Sequence, residues 1–102
     1  MPTRHIVLVK VKSGTPEADV QQALDALGAL KEQIPGMTSF SAGPNTSPES
    51  RTLGFTHGFV MDFENAAARD AYLPDPRHQQ AAQGLRDIRE PENGVLVFDY
   101  DF

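Results

Sequence analysis

Five side chains in this sequence could work together in acid–base chemistry: Tyr72, His78, Asp99, His5 and His57. A phenol can donate to a carbonyl oxygen and stabilise an enolate forming there. An imidazole can take the proton from the neighbouring carbon. The stretch Tyr72-Leu73-Pro74-Asp75-Pro76-Arg77-His78 fixes two of the five. Pro74 ends a helix, because its ring removes a donor and pushes the preceding residue out of helical space. Asp75 then caps a new helix, with Pro76 at its first position. His78 becomes the third residue of that helix, on an apolar stripe with Ala81, Ala82, Leu85 and Ile88. Burial and the positive helix end both disfavour imidazolium, whereas Asp75 favours it. A neutral ring there is a base near pH 7. A buried structural histidine has the same geometry, and Tyr72 could equally be a tyrosine packed under the proline corner. The two are separated by a break, so convergence on one cavity is expected rather than direct contact.

Asp99 shares a strand face with Val95 and Val97, where an unpaired carboxylate would be costly. A hydrogen bond to His78 or His5 would satisfy it and fix the histidine tautomer. The histidines show neither His-x-x-His nor His-x-x-x-His spacing, and there is no cysteine. Neither pattern for a transition-metal site is therefore present. Gly14, Gly36 and Gly43 sit at turns without a phosphate-loop pattern. No metal and no cofactor is expected.

The elements that must position these groups follow from periodicity. Residues 4–12 read as a strand with His5, Val7, Val9 and Val11 on one face and Ile6 and Leu8 on the other. Thr15 is a candidate N-cap before Pro16, and Val20, Ala23, Leu24, Leu27, Leu30 and Ile34 recur at helical spacing. Pro35-Gly36 stops that helix, and residues 37–42 form a weaker strand suited to an edge. Residues 43–54 are turn formers throughout. Residues 55–63 alternate, with Phe55, His57, Phe59, Met61 and Phe63 on one face. Asn65 caps a helix over 66–72, the second helix starts at Pro76, and residues 95–102 make a last strand.

This order reads as a ferredoxin-like α+β sandwich, βαββαβ, with a four-stranded antiparallel sheet and its helices on one face. The first strand then lies between the third and the fourth. His5 falls beside Asp99; His57 falls near Lys10 or Val11, roughly 15 Å from His5. His57 is thus expected to be a core histidine with a local partner rather than a neighbour of His5. Ile6 and Leu8 lie on the face the helices leave open, and a second subunit is the economical cover. A homodimer through the sheet face is expected.

The chain has 102 residues, a single domain by size, with a formal net charge of −5. No run of lysine or arginine supplies a basic face, so nucleic acid is not an expected partner. The apolar run Ile6–Val9 is too short for a signal-peptide core or a membrane span. With no cysteine, a cytoplasmic location is expected.

His5 with its valine-rich strand, Ile34-Pro35-Gly36, Thr56-His57, Tyr72-Leu73-Pro74 with Pro76 and His78, and Phe98-Asp99-Tyr100 occur together. With these the chain resembles the stress-responsive A/B-barrel domain (Dabb) family along essentially its whole length. The resemblance implies a ferredoxin-like subunit whose sheet packs on a second copy in a dimeric α/β barrel. Within the family the chain is similar to the olivetolic acid cyclase-like polyketide cyclases, which close poly-β-keto thioesters by intramolecular aldol condensation without a cofactor. That likeness implies Tyr72 and His78 as the catalytic pair, His5 and His57 as pocket histidines, and Asp99 as the group orienting the catalytic histidine. It also implies a different alkyl pocket, because Ala23, Leu27 and Gly28 replace aromatic residues of those cyclases. The resulting expectation is a binder of a small, partly apolar carbonyl compound, acting as a cofactor-independent cyclase or lyase. A non-catalytic stress-responsive or interaction protein is the alternative, and a cofactor-free monooxygenase of the related dimeric α/β-barrel class is a further one.

Overall fold

The computed structural model describes residues Met1–Phe102. Four strands, β1 (Thr3–Val9), β2 (Met37–Pro44), β3 (His57–Phe63) and β4 (Val95–Asp101), form one sheet in the order β2-β3-β1-β4. All neighbours are antiparallel, as a ferredoxin-like topology requires. Alternation in β1 translates directly into burial: Thr3, His5, Val7 and Val9 are buried, while the residues between them are half-buried.

The inner face is covered by α1 (Glu17–Gly28), a 3-10 turn (Ala29–Glu32), α2 (Ala66–Tyr72) and α3 (Pro76–Ile88). The core lies between them, built from Val9, Val20, Leu24, Leu27, Met61 and Phe63 among others. Thr15 does not cap α1. Pro16 occupies the cap position with no side-chain bond, and the Thr15 hydroxyl donates to the Lys12 carbonyl instead. Gly36 takes φ +85°, and a Cβ there would stand 2.7 Å from the Cβ of Ala68. The turn that ends the first helical layer therefore needs glycine on two counts, backbone sign and close approach to α2.

β2 is an edge strand with a register shift between Met37 and Ser39. β4 is the other edge, and the helices leave part of it open on both sides. Val97, on its inner face, is 55% exposed, and Phe98, on its outer face, is 59% exposed. Leu96, Phe98 and Tyr100 join Ile6, Leu8 and Val60 in an apolar outer face, edged by the bidentate pair of Arg4 on Asp62 at 2.8 and 2.9 Å. No helix is long and apolar enough to cross a membrane.

Candidate active site

The break between α2 and α3 forms at the prolines, but one residue later than expected: Leu73, before Pro74, keeps helical angles, and Asp75, before Pro76, is the extended residue. The Asn65 side chain accepts from Ala68 N at the start of α2, and the Asp75 carboxylate accepts from Arg77 N at the start of α3. Arg77 also bonds that carboxylate through its guanidinium, and together the two hold the Asp75 carboxyl down at about 2. Interrupting the helix strands the last carbonyls of α2. The Tyr72 carbonyl is taken by Asp75 N at 3.0 Å. The Leu73 carbonyl is taken by two side chains, His78 Nδ1 at 2.9 Å and Gln79 Nε2 at 3.0 Å.

That bond settles the His78 tautomer. A carbonyl can only accept, so Nδ1 carries the hydrogen and Nε2 of a neutral ring presents its lone pair. The His78 ring lies over the Tyr72 ring, with centroids 4.2 Å apart and planes 33° from parallel. The pair is thus in direct contact across the break, closer than convergence on a shared cavity demands.

Tyr72 is 1% exposed, wedged between Phe63 at 5.2 Å and His5 at 6.3 Å between ring centroids. Burial pushes its phenol well above the ordinary tyrosine range, so it stays a donor at neutral pH. Its hydroxyl has no hydrogen-bond partner in the protein, and it borders a cavity instead.

His5 stands opposite Asp99 in the β1–β4 register, and its Nδ1 bonds Asp99 Oδ1 at 2.8 Å. The carboxylate accepts, so His5 Nδ1 carries a hydrogen, and it is Nε2 that carries the lone pair whenever the ring is neutral. Asp99 therefore serves His5 and not His78, whose orientation comes from Leu73. The second oxygen of Asp99 accepts from Arg69 Nη1 at 2.8 Å, making a chain Arg69–Asp99–His5. Asp99 and Asp70 together hold the Arg69 guanidinium more firmly protonated than usual. Arg69 was not singled out in the sequence. Its signal was faint: it lies three residues before Tyr72 and so on the same side of α2.

Tyr72, His78, His5, Asp99 and Arg69 line one cavity of about 520 Å³, between α3 and the inner faces of β1 and β4. Val7, Leu27, Phe59, Ala82, Leu85 and Val97 supply apolar wall. His57 does not line it. It pairs with Val9 in the register, four positions along from His5 and one or two short of the expected Lys10 or Val11. His57 Nδ1 lies 2.9 Å from the Thr56 hydroxyl. Its buried Nε2 is 3.5 Å from Glu17 Oε1, too poorly placed for a hydrogen bond, and has no other partner. His57 borders a separate concavity of about 470 Å³ walled by residues 43–47, Arg51, Thr52 and Phe55. No three His, Asp or Glu side chains converge as metal ligands.

The sequence profile of the stress-responsive A/B-barrel domain family matches residues 3–102. The chain belongs to this family. A stress-response A/B barrel domain-containing protein of Arabidopsis thaliana is 37% identical over 98 residues, covering 95% of this chain and 83% of that protein. Olivetolic acid cyclase of Cannabis sativa is 25% identical over 100 residues, covering 98% and 96%. Among solved structures, a dimeric ferredoxin-like protein of unknown function from Jannaschia sp. CCS1 superposes over 100% of both chains, with TM-score 0.88 and 29% identity. The hydroxynitrile lyase of Passiflora edulis superposes over 97% of this chain and 91% of its own, with TM-score 0.84 and 25% identity.

Proposed function

We propose that this Dabb-domain protein is a homodimeric, cofactor-independent cyclase or lyase that binds a small, partly apolar carbonyl compound and performs intramolecular aldol chemistry. The observation that carries the reading is the Tyr72 hydroxyl, a donor without a protein acceptor, beside His78 in a cavity with an apolar wall. A substrate carbonyl oxygen accepts from Tyr72. His78 Nε2 removes a proton from the adjacent carbon, and the electron pair passes into the C=C–O⁻ enolate, held by the phenol. The enolate carbon attacks a second carbonyl of the same molecule, forming the C–C bond, and the new alkoxide takes the proton back from His78. Asp99, fixed by Arg69, keeps His5 in one tautomer on the opposite wall, where it orients the substrate.

The likeness to olivetolic acid cyclase and to a hydroxynitrile lyase supports this class of chemistry. The dimer reading rests on the apolar outer face, where Phe98 and Tyr100 are exposed and Ile6 and Leu8 half-buried, and on the dimeric neighbour. A binding role without catalysis is the second reading. It is favoured by one observation: His78 already has a structural task in capping the Leu73 carbonyl.

A linear poly-β-keto thioester tests the proposal. The wild-type protein should release a cyclised product detectable by mass spectrometry. His78→Ala and Tyr72→Phe should each lose it by at least ~100-fold with the fold intact. Cyclisation retained in both variants would rule out these roles, and none above buffer would leave only the binding role.

A further inference from the structure

The cavity is graded along its length. On α3 the lining residues are His78, Ala82, Leu85 and Arg86, which run down one side of the helix from its first turn, and Arg89 follows as its C-cap. Eleven residues of helix place Arg89 roughly 16 Å from His78 along the axis. The opposite wall runs in the same sense: His5 with Asp99, then Val7 with Val97, and Val95 toward the far end. Polar reactive groups thus occupy one end, apolar side chains the middle, and arginine the other end.

Arg89, at the far end, has no carboxylate partner. Its guanidinium bonds only the Glu90 carbonyl, whereas that of Arg86 folds back along α3 onto the Gln79 carbonyl and the side chains of Gln79 and Gln83, toward the His78 end. Arg69, by contrast, is shared between Asp99 and Asp70. Arg89 is also held in place: it is half-buried, its N–H bonds the Leu85 carbonyl at 3.0 Å, and it forms a bridge with Val11. A guanidinium on an anchored backbone, with donors beyond the one on the Glu90 carbonyl, at the end of an apolar trough, suits a carboxylate or phosphate oxygen pair. The chain as a whole carries −5, so this positive end is a local feature rather than a reflection of composition.

We infer that the cavity takes an elongated ligand with an anionic group at one end, held by Arg89, and its carbonyl at the other, beside Tyr72 and His78. This rests on the proposed carbonyl chemistry for the near end only. Such a ligand draws its anion from one of two sources: the carboxylate of a free keto acid, or the phosphate of an acyl thioester carrier.

Calorimetric titration with matched probes tests the inference. The first pair is 9-oxodecanoate and its methyl ester; the second is S-hexanoyl-4′-phosphopantetheine and its dephosphorylated counterpart. At low salt at least one charged probe should bind about ten-fold more tightly than its neutral match. Arg89→Gln should abolish that preference without moving the affinity of the neutral probe, and Arg89→Lys should restore part of it. A preference confined to the first pair identifies the carboxylate, and one confined to the second identifies the phosphate. Equal binding within both pairs, no binding at all, or an Arg89→Gln loss shared by charged and neutral probes would overturn the inference. His78→Ala should keep the charge preference. If wild type keeps it too while catalysing nothing, the carbonyl chemistry fails and the anion end stands.

Discussion

His5 and His57 sit on the same inner sheet face, four register positions apart, yet they face different chemistry. His5 has a charged partner fixed by a third residue, and it opens on an apolar cavity beside an unpartnered phenol. His57 leans on the neighbouring Thr56 hydroxyl and on the edge of Glu17, next to a loop-walled groove. The strands treat the two alike, so the difference comes from the layer above. Over His5 the helix breaks, and the break brings Tyr72, Arg69 and His78 to one place. Over His57 lies the start of α1, which offers only Glu17. The strand sets the direction of each side chain; the helix break decides whether that direction leads to a site.

The comparison can be broken most forcefully at Tyr72. Tyr72→Ala removes a fully buried aromatic that touches Phe63, His5 and His78, and should cost ~3–5 kcal/mol by urea denaturation. A loss near zero would mean that the corner is not packed as described. At Asp99, Asp99→Asn should destabilise the fold by about 1–3 kcal/mol by the same assay, because Arg69 and His5 both lose their carboxylate. His57→Gln should cost less than about 1 kcal/mol, since the ring has no hydrogen bond at Nε2 to lose. A larger loss at His57 than at Asp99 would reverse the comparison.

Two titrations sharpen it further. The buried Tyr72 phenol has a folded pKa above its unfolded value, so its stability contribution is complete below pH 10 and falls as pH rises beyond it. In a Tyr100→Phe background, absorbance at 295 nm should therefore stay flat through the usual tyrosine range until the fold opens. The Asp75 cap has the opposite sign, with its folded pKa lowered to about 2 from 3.8. Its contribution is complete above pH 3.8 and lost as pH falls through about 2. The stability gap between wild type and Asp75→Ala should shrink over that window, the smallest effect of the set.

The fold was legible in the sequence because its signals are local. Alternation marks β1 and β3, proline and asparagine mark the helix ends, and the strand order then follows from the topology. The same reasoning placed His5 beside Asp99 and kept His57 away from both. What was not legible depends on side chains that meet only in three dimensions. Asp99 could have served either His78 or His5, and only the stranded Leu73 carbonyl assigns His78 elsewhere. Arg69 and Arg89 read as ordinary surface cations, because nothing in the sequence says that the helix break and the open β4 edge leave a cavity between them. The Thr15 cap failed for a related reason: its hydroxyl found the Lys12 carbonyl, a partner that exists only once the turn has formed.

Proton exchange at carbon tests the central claim most directly. With 2-heptanone in deuterated buffer near neutral pH, wild-type protein should speed deuterium uptake next to the carbonyl, followed by NMR. His78→Ala and Tyr72→Phe should lose at least ~10-fold of that rate, while His57→Gln should keep it. Uptake no faster than in buffer, or equal in all four proteins, would contradict the assignment of Tyr72 and His78 as a working acid–base pair.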